Sequence, residues 1–340
     1  MNISVFKPSI KRKEMDAVLN CMVSDRIGFG KAASQLSKEI SEYLGLKGGI
    51  AFKEYYRALK IAVEALELEA GSVVIVSALA PNMYQMVIEE AGLKTLVVDV
   101  DADSSIIDAS RIEEKAEQAS AVLVNYEMGF LPDMEKIIEI GLPVIEDISM
   151  AFGADFAGKK AGTFGRFTVL NMDEDGLITT GGGSAVLASG RKDQQLLKQK
   201  AEALHPSVFL PDMNASLGLA QLKSLEEYIG LRREIADVFT KSLMRSRHKK
   251  LVQSGEDNNI NYSFPVVLDA GISEVAAYAR KKNILTEPAF SGSIAAYSEE
   301  VQINCPHAKA LLLRCMNFPL YPMLGKKNIS DIAKVLSSLP

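Results

Sequence analysis

Residues 72–100 read SVVIVSALAPNMYQMVIEEAGLKTLVVDV, a stretch in which two apolar runs are separated by an amphipathic segment. The runs SVVIV (72–76) and TLVVDV (95–100) are typical of buried strands, because apolar residues stand at nearly every position. Between them, residues 82–91 place apolar side chains at helical spacing. The stretch therefore predicts a strand, a helix and a second strand, the unit that joins parallel strands.

The same alternation extends through the first two thirds of the chain. Four further runs are expected to form strands: SAVLVNY (120–126), PVIED (143–147), FTVL (167–170) and SAVLAS (184–189). Helical spacing of apolar residues recurs in residues 55–68, 110–118 and 133–140. This order predicts an α/β fold in which helices cover both faces of a mainly parallel sheet.

The last third of the chain follows a different pattern. Here NYSFPVVL (261–268) is a predicted strand, and residues 274–282 and 329–336 are predicted helices. These elements predict a small C-terminal α+β domain. A length of 340 residues suits about two domains, and we place the boundary so that the large domain covers residues 1–235 and the small one residues 236–340.

The composition excludes several classes of function. With 38 Lys and Arg against 43 Asp and Glu, the net charge is −5, which indicates neither a nucleic-acid partner nor an anionic membrane. No apolar run approaches the roughly 18 residues of a membrane span, and the N-terminus lacks the apolar core of a signal peptide, so we expect a cytoplasmic protein. Three cysteines, Cys21, Cys305 and Cys315, cannot form a disulfide framework.

Several polar residues stand where predicted strands end. Ligands of such sheets bind at the carboxyl ends of the strands, which directs attention to Asn125, Asp147 and Asn171. Glu146 and Asp147 follow apolar residues, where a carboxylate is costly to bury without a partner. Each either binds a ligand nitrogen or caps a turn, and position alone does not separate these roles. Asp99 stands among other acids and is expected in a solvated loop.

Two segments have the composition of ligand loops without their spacing. The glycine cluster TTGGGS (179–184) precedes a strand, whereas a phosphate loop follows a strand and opens a helix, so a tight turn is favoured. The acidic segment MDEDG (172–176) lacks the remaining ligands of a calcium loop, and we expect no metal site. Patterns of this kind do not specify a reaction.

Longer phrases, occurring in a fixed order, point to a family. They are VFKPSIKRKEMDAVL (5–19), AGLKTLVVDVD (91–101), NYEMGFLPDMEKI (125–137), PVIEDISMAFGADFAGKKAGTFG (143–165), ITTGGGSAV (178–186), DMNASLGLAQL (212–222) and NFPLYPML (317–324). Together they resemble the DegT/StrS family of nucleotide-sugar aminotransferases. The resemblance covers nearly the whole chain.

The resemblance implies fold type I of the pyridoxal-phosphate (PLP) enzymes, with a mainly parallel seven-stranded sheet and a homodimer whose active sites lie at the interface. It also implies PLP, or its amine form pyridoxamine phosphate (PMP), as cofactor and a nucleotide sugar as ligand. In the family a lysine forms a Schiff base with PLP, and an aspartate pairs with the pyridine nitrogen. Asp147, within IEDISMA, matches that aspartate.

Other family positions are substituted in this chain. The lysine position falls on Gly176, and no lysine occurs between Lys160 and Lys192. A hydroxyl-bearing residue two positions earlier is replaced by Glu174, and the glutamine three residues after the aspartate is replaced by Met150. The resemblance therefore assigns this chain no catalytic lysine.

The phosphate-binding positions of the family also differ. A Ser-Gly-Thr run at the start of a helix is replaced by Glu54, Tyr55 and Tyr56, an acid and two large rings that would repel and obstruct a phosphate. An Asn-Tyr-Arg run, which the family contributes across the dimer, is replaced by residues 207–209 and ends in Phe209. These substitutions argue against binding of PLP or PMP.

We therefore expect a family member, related to nucleotide-sugar and polysaccharide-precursor biosynthesis, that has lost transaminase activity. Such a protein would act as a non-catalytic homodimer or as the silent subunit of a heterodimer with an active paralogue. Two alternatives stay open: an enzyme of altered chemistry on a nucleotide sugar, and a PLP-dependent sugar aminotransferase that uses the cofactor in an unforeseen manner.

Overall fold

A computed structural model describes residues 2–252, 259–269 and 271–340. The strands of its first half are β1 (Gly48–Phe52), β2 (Val73–Ser77), β3 (Lys94–Val98), β4 (Ala121–Asn125), β5 (Val144–Asp147), β6 (Asp155–Phe156), β7 (Lys159–Lys160), β8 (Phe167–Asn171) and β9 (Ser184–Ala188). Seven of them form one sheet in the order β1-β9-β8-β5-β4-β2-β3, and β6 and β7 form a separate hairpin.

The sheet is mainly parallel, as predicted. Strand β2 pairs in parallel with β3 and β4, β4 with β5, and β5 with β8, whereas β9 runs antiparallel to both of its neighbours. The six predicted strands are confirmed. The seventh, β1, has no continuous apolar run, and its Gly49 is required by close pairing because a Cβ there would lie 2.7 Å from the Val186 carbonyl oxygen.

Helices cover both faces of this sheet. The helices are α1 (Arg12–Val23), α2 (Lys31–Leu44), α3 (Tyr55–Glu64), α4 (Met83–Glu90), α5 (Ala109–Glu113), α6 (Met134–Glu139), α7 (Arg191–Glu202), α8 (Asp212–Leu222), α9 (Leu225–Leu243), α10 (Ile272–Lys281), α11 (Ile294–Tyr297), α12 (Glu299–Asn304), α13 (Pro306–Arg314) and α14 (Lys326–Leu336). Val122 belongs to an apolar cluster with residues of α2 and α8, whereas its neighbour Leu123 belongs to a cluster with residues of α3 and α4. Burial on both faces explains the unbroken apolar runs of the sequence.

A second sheet lies in the last third of the chain. It consists of β10 (Lys249–Lys250), β11 (Phe264–Val267), β12 (Glu287–Pro288) and β13 (Cys315–Phe318), in the antiparallel order β10-β11-β13-β12. Its apolar face packs against α9, α10 and α14. Helix α9 runs through residue 235 without a break. The boundary between the two domains at that residue stays a prediction.

Two expectations from the sequence were wrong. The helix predicted for residues 110–118 is divided into α5 and a 3₁₀ turn at Ala116–Gln118. Asp99 is buried rather than solvated, because it accepts hydrogen bonds from the backbone N–H groups of His307 at 3.0 Å and Ala308 at 2.9 Å. It thereby caps the start of α13, and a carboxylate at this end of a helix is favoured by the helix dipole.

Among the described helices, none combines the length and the apolar character that crossing a bilayer requires.

Candidate functional site

A cavity of about 160 Å³ lies at the carboxyl ends of β4, β5 and β8. The strand-end residues Asn125 and Asp147 are paired neighbours in the sheet, and both line this cavity together with Asn171. The other lining residues are Tyr55, Pro81, Tyr84, Tyr126, Glu127, Ser149, Met150, Asp175, Gly176 and Tyr262. The rule that ligands bind at the carboxyl ends of parallel strands therefore predicted three residues that lie together in this cavity.

Asp147 is the most heavily bonded residue of the cavity. Its Oδ2 accepts hydrogen bonds from the hydroxyls of Tyr55 and, at 2.6 Å, Tyr84. Its Oδ1 accepts from the hydroxyl of Ser149 and, at 2.9 Å, from the Ser149 backbone N–H. Four donors therefore satisfy a carboxylate that is 3% exposed.

The two tyrosines are held as proton donors. Burial, and then the charge of Asp147, keep the pKa values of Tyr55 and Tyr84 well above their ordinary range. Tyr55 is the first residue of α3, and Tyr84 lies on the buried side of α4, so both helices direct a ring toward the end of β5. The rings occupy the space in front of the Asp147 carboxylate.

A second carboxyl group, that of Glu127, lies in the same cavity. Glu127 is 3% exposed and accepts a hydrogen bond from the side-chain amide of Asn125. Burial, and then the nearby Asp147 charge, raise the pKa of Glu127 to about 8. The amide oxygen of Asn125, Oδ1, is buried and has no hydrogen-bond partner among the described residues.

Glu146 stands beside Asp147 but belongs to the interior. It accepts hydrogen bonds from the backbone N–H groups of Gly162 at 2.9 Å, Phe164 at 2.7 Å and Gly165, and from the hydroxyl of Tyr126. Its side chain is fully buried. Of the two roles that the sequence left open, Glu146 has the structural one, since it holds the turn that leads into β8.

The position assigned to the family lysine has a backbone shaped for glycine. A Cβ on Gly176 would lie 2.6 Å from the carbonyl oxygen of Ile178 and 3.1 Å from that of Asp173. Both contacts are with backbone, so any larger residue requires the loop to move. Among the residues that line the cavity, none is lysine, cysteine or histidine.

The remaining predicted positions divide into two groups. Tyr55, Asp147, Met150 and Gly176 come together in the cavity, whereas Glu54, Tyr56, Glu174 and Phe209 lie outside its lining. Tyr56 instead packs in the apolar layer around α3 and α4, where the adjacent Glu90 raises its pKa to about 12.

Two other predicted positions are explained by local packing. The Phe209 ring stacks on Phe29 at 4.7 Å and on Phe52 at 5.5 Å, between ring centroids. The turn predicted for residues 179–184 is confirmed, because Gly181 and Gly182 have φ of 70° and 100° and a Cβ on Gly183 would meet the Thr180 hydroxyl at 2.4 Å.

Comparison with known proteins identifies the family. Residues 8–337 match the DegT/DnrJ/EryC1/StrS aminotransferase family. The chain belongs to this family. GDP-perosamine synthase of Escherichia coli O157:H7 is 28% identical over 98% of both chains, and dTDP-4-amino-4,6-dideoxy-D-glucose transaminase of Escherichia coli is 27% identical over 90% of both.

Solved structures of an aminotransferase and of a sugar-nucleotide dehydratase share the fold. The aminotransferase TlmJ from Streptoalloteichus hindustanus matches with a TM-score of 0.91 and 22% identity, covering 99% of this chain and 98% of its own. The GDP-4-keto-6-deoxy-D-mannose-3-dehydratase of Escherichia coli, solved with bound hydrated PLP, matches with a TM-score of 0.89 and 18% identity, covering 99% of each. The DegT/StrS resemblance and the fold type I prediction are confirmed.

Proposed function

We propose that this chain is a non-catalytic member of the nucleotide-sugar aminotransferase family, in which the former cofactor cleft no longer holds PLP or PMP. It would serve a cytoplasmic pathway of nucleotide-sugar or polysaccharide-precursor biosynthesis. The observation that carries the proposal is the pair of hydrogen bonds from Tyr55 and Tyr84 to Asp147. The two phenol groups occupy the space in front of the Asp147 carboxylate, where the pyridine nitrogen of PLP would have to lie.

The size of the cavity supports the same conclusion. Sites for small molecules and cofactors usually enclose about 300–1,000 Å³. The cavity at the end of β5 has about 160 Å³, and Tyr55, the first residue of α3, lines it. A pyridine ring could contact Asp147 only if Tyr55 left its position.

The chemical groups that PLP requires are also missing. The helix start that would receive the phosphate carries the acidic Glu54 at its N-cap, and the charge of this residue would repel a phosphate. No lysine occurs between Lys160 and Lys192, and Gly176 has no space for one in the present backbone. The residues do not fit the cofactor.

The partner is proposed to be a second copy or an active paralogue. Helix α1 exposes four large apolar side chains at helical spacing, and the loop after it exposes two more: Met15, Leu19, Met22, Val23, Ile27 and Phe29. An apolar stripe of this length on a helix is typical of an interaction surface. An associated subunit would bury it.

We expect no transamination by the purified chain. In a mixture of PLP, an amino-acid donor and nucleotide-linked keto sugars such as GDP-4-keto-6-deoxymannose, the amount of amino sugar should equal that of a protein-free blank. Mass spectrometry of the sugar nucleotides measures the product, and GDP-perosamine synthase provides the active control. Formation of an amino sugar that depends on this chain would contradict the proposal.

A further inference from the structure

The cavity at the strand ends adjoins a larger open cleft, and Asp175 lines both. This outer cleft, of about 1,000 Å³, lies between residues 4–8, the loop of residues 173–182 and residues 280–287. A ligand whose end enters the cavity can therefore extend past Asp175 into the outer cleft.

The two spaces together are acidic. Six carboxyl groups line them, against the two cations Lys7 and Arg280: Glu127, Asp147, Asp173, Glu174, Asp175 and Glu287. Burial raises the pKa of Asp175 and of Glu287, and neighbouring carboxylates raise both further. Such a surface repels phosphates and attracts cations.

The inner cavity also offers an acceptor that no protein group uses. Asn125 is 6% exposed and lines the cavity, its Nδ2 donates to Glu127, and its buried Oδ1 has no partner among the described residues. The tyrosine hydroxyls around it already donate to carboxylates, as Tyr55 and Tyr84 do to Asp147. A buried carbonyl oxygen without a donor costs about 1–3 kcal/mol, so a ligand that supplies a donor there is favoured.

We propose that the cavity and the outer cleft bind a small organic cation with a primary ammonium group, which enters the cavity, donates a hydrogen bond to Asn125 Oδ1 and pairs with Glu127 as that carboxyl group releases its proton to solvent. An ammonium group has three donors and no acceptor, which matches the unpartnered Asn125 Oδ1 and the ionised form of Glu127. A metal ion fits less well, because no group of three or more His, Cys, Asp or Glu side chains in the described parts of the chain is arranged to hold one. The inference goes beyond the loss of transamination and concerns binding in the absence of PLP.

Isothermal titration calorimetry at low salt tests this inference, with 1,4-diaminobutane as the probe. We expect one saturable site for the diamine and no heat from 1,4-butanediol, which has the same length but no charge, or from GDP. Glu127→Gln and Asn125→Leu should each weaken diamine binding about tenfold. The surface variant Glu139→Gln, which removes one charge from an exposed site on α6, should leave it unchanged.

The variants separate a specific site from general attraction to an acidic protein. Near-ultraviolet circular dichroism checks that each variant is folded, and Glu127→Gln is expected to be at least as stable as the wild type. The inference is overturned if the diol binds as well as the diamine, if GDP binds and displaces the diamine, or if neither Glu127→Gln nor Asn125→Leu weakens binding. These results are independent of any PLP assay.

Discussion

Glu146→Ala should lower the free energy of unfolding by about 4 kcal/mol or more, the largest loss that we expect from any single substitution near the site. The variant leaves three backbone N–H groups, those of Gly162, Phe164 and Gly165, without their acceptor in a buried environment. Each unsatisfied buried group costs about 1–3 kcal/mol. Urea denaturation measures the change.

The matched control is Glu139→Ala, which removes an exposed carboxylate and should shift stability by no more than about 0.5 kcal/mol. The stability loss in Glu146→Gln should lie between those of these two variants. The glutamine side chain keeps one oxygen acceptor, but its NH₂ group would face the backbone N–H donors. A loss below about 1 kcal/mol in Glu146→Ala would show that the turn at residues 162–165 does not depend on this carboxylate.

Glu127→Gln should stabilise the protein at alkaline pH, with a gain on the order of 3 kcal/mol at pH 8. The folded state holds the pKa of Glu127 at about 8, against an ordinary value of 4.5. Between those values the folded chain keeps a proton that the unfolded chain releases, so the contribution of Glu127 to stability is complete below about pH 4.5 and is lost as the pH rises toward 8. Glutamine carries no such proton and still accepts from Asn125 through its carbonyl oxygen.

The measurement is the unfolding midpoint of the wild type and the variant at pH 5, 6.5 and 8. The difference between them should grow across this series, whereas the exposed control Glu135→Gln should show a constant difference. Parallel pH profiles for the wild type and Glu127→Gln would mean that Glu127 is not held protonated by burial and by Asp147.

Much of the fold could be predicted, because strands that are buried on both faces consist almost entirely of apolar residues. Strands β2, β4 and β9 are apolar on both faces and stand out as continuous runs. Strand β1 does not, since it begins with two glycines, of which Gly49 is required by close pairing with β9 and Gly48 by the nearby side chain of Gln194. Asp99 was misplaced because its partners, His307 and Ala308, lie more than 200 residues away in the sequence.

The candidate site was predictable from strand ends and from the family resemblance, which added Tyr55, Met150 and Gly176. The residues Asn125, Asp147 and Asn171 end neighbouring strands, so fold class alone brings them together. Tyr84 and Glu127 were missed, because one lies on a helix and the other in a 3₁₀ turn after β4. Their directions depend on packing between elements, and a tyrosine on an apolar helix face gives no sign that its hydroxyl reaches a carboxylate.

Trapping of the cofactor tests whether the cleft of this family member still accepts PLP. The purified chain and its Asp147→Asn variant are incubated with PLP, reduced with borohydride, digested, and mapped for pyridoxyl-lysine by mass spectrometry. We predict the same weak, scattered labelling of surface lysines in both proteins, with no lysine labelled stoichiometrically. Stoichiometric labelling of one lysine in the wild type, lost in Asp147→Asn, would show that the cleft does bind PLP.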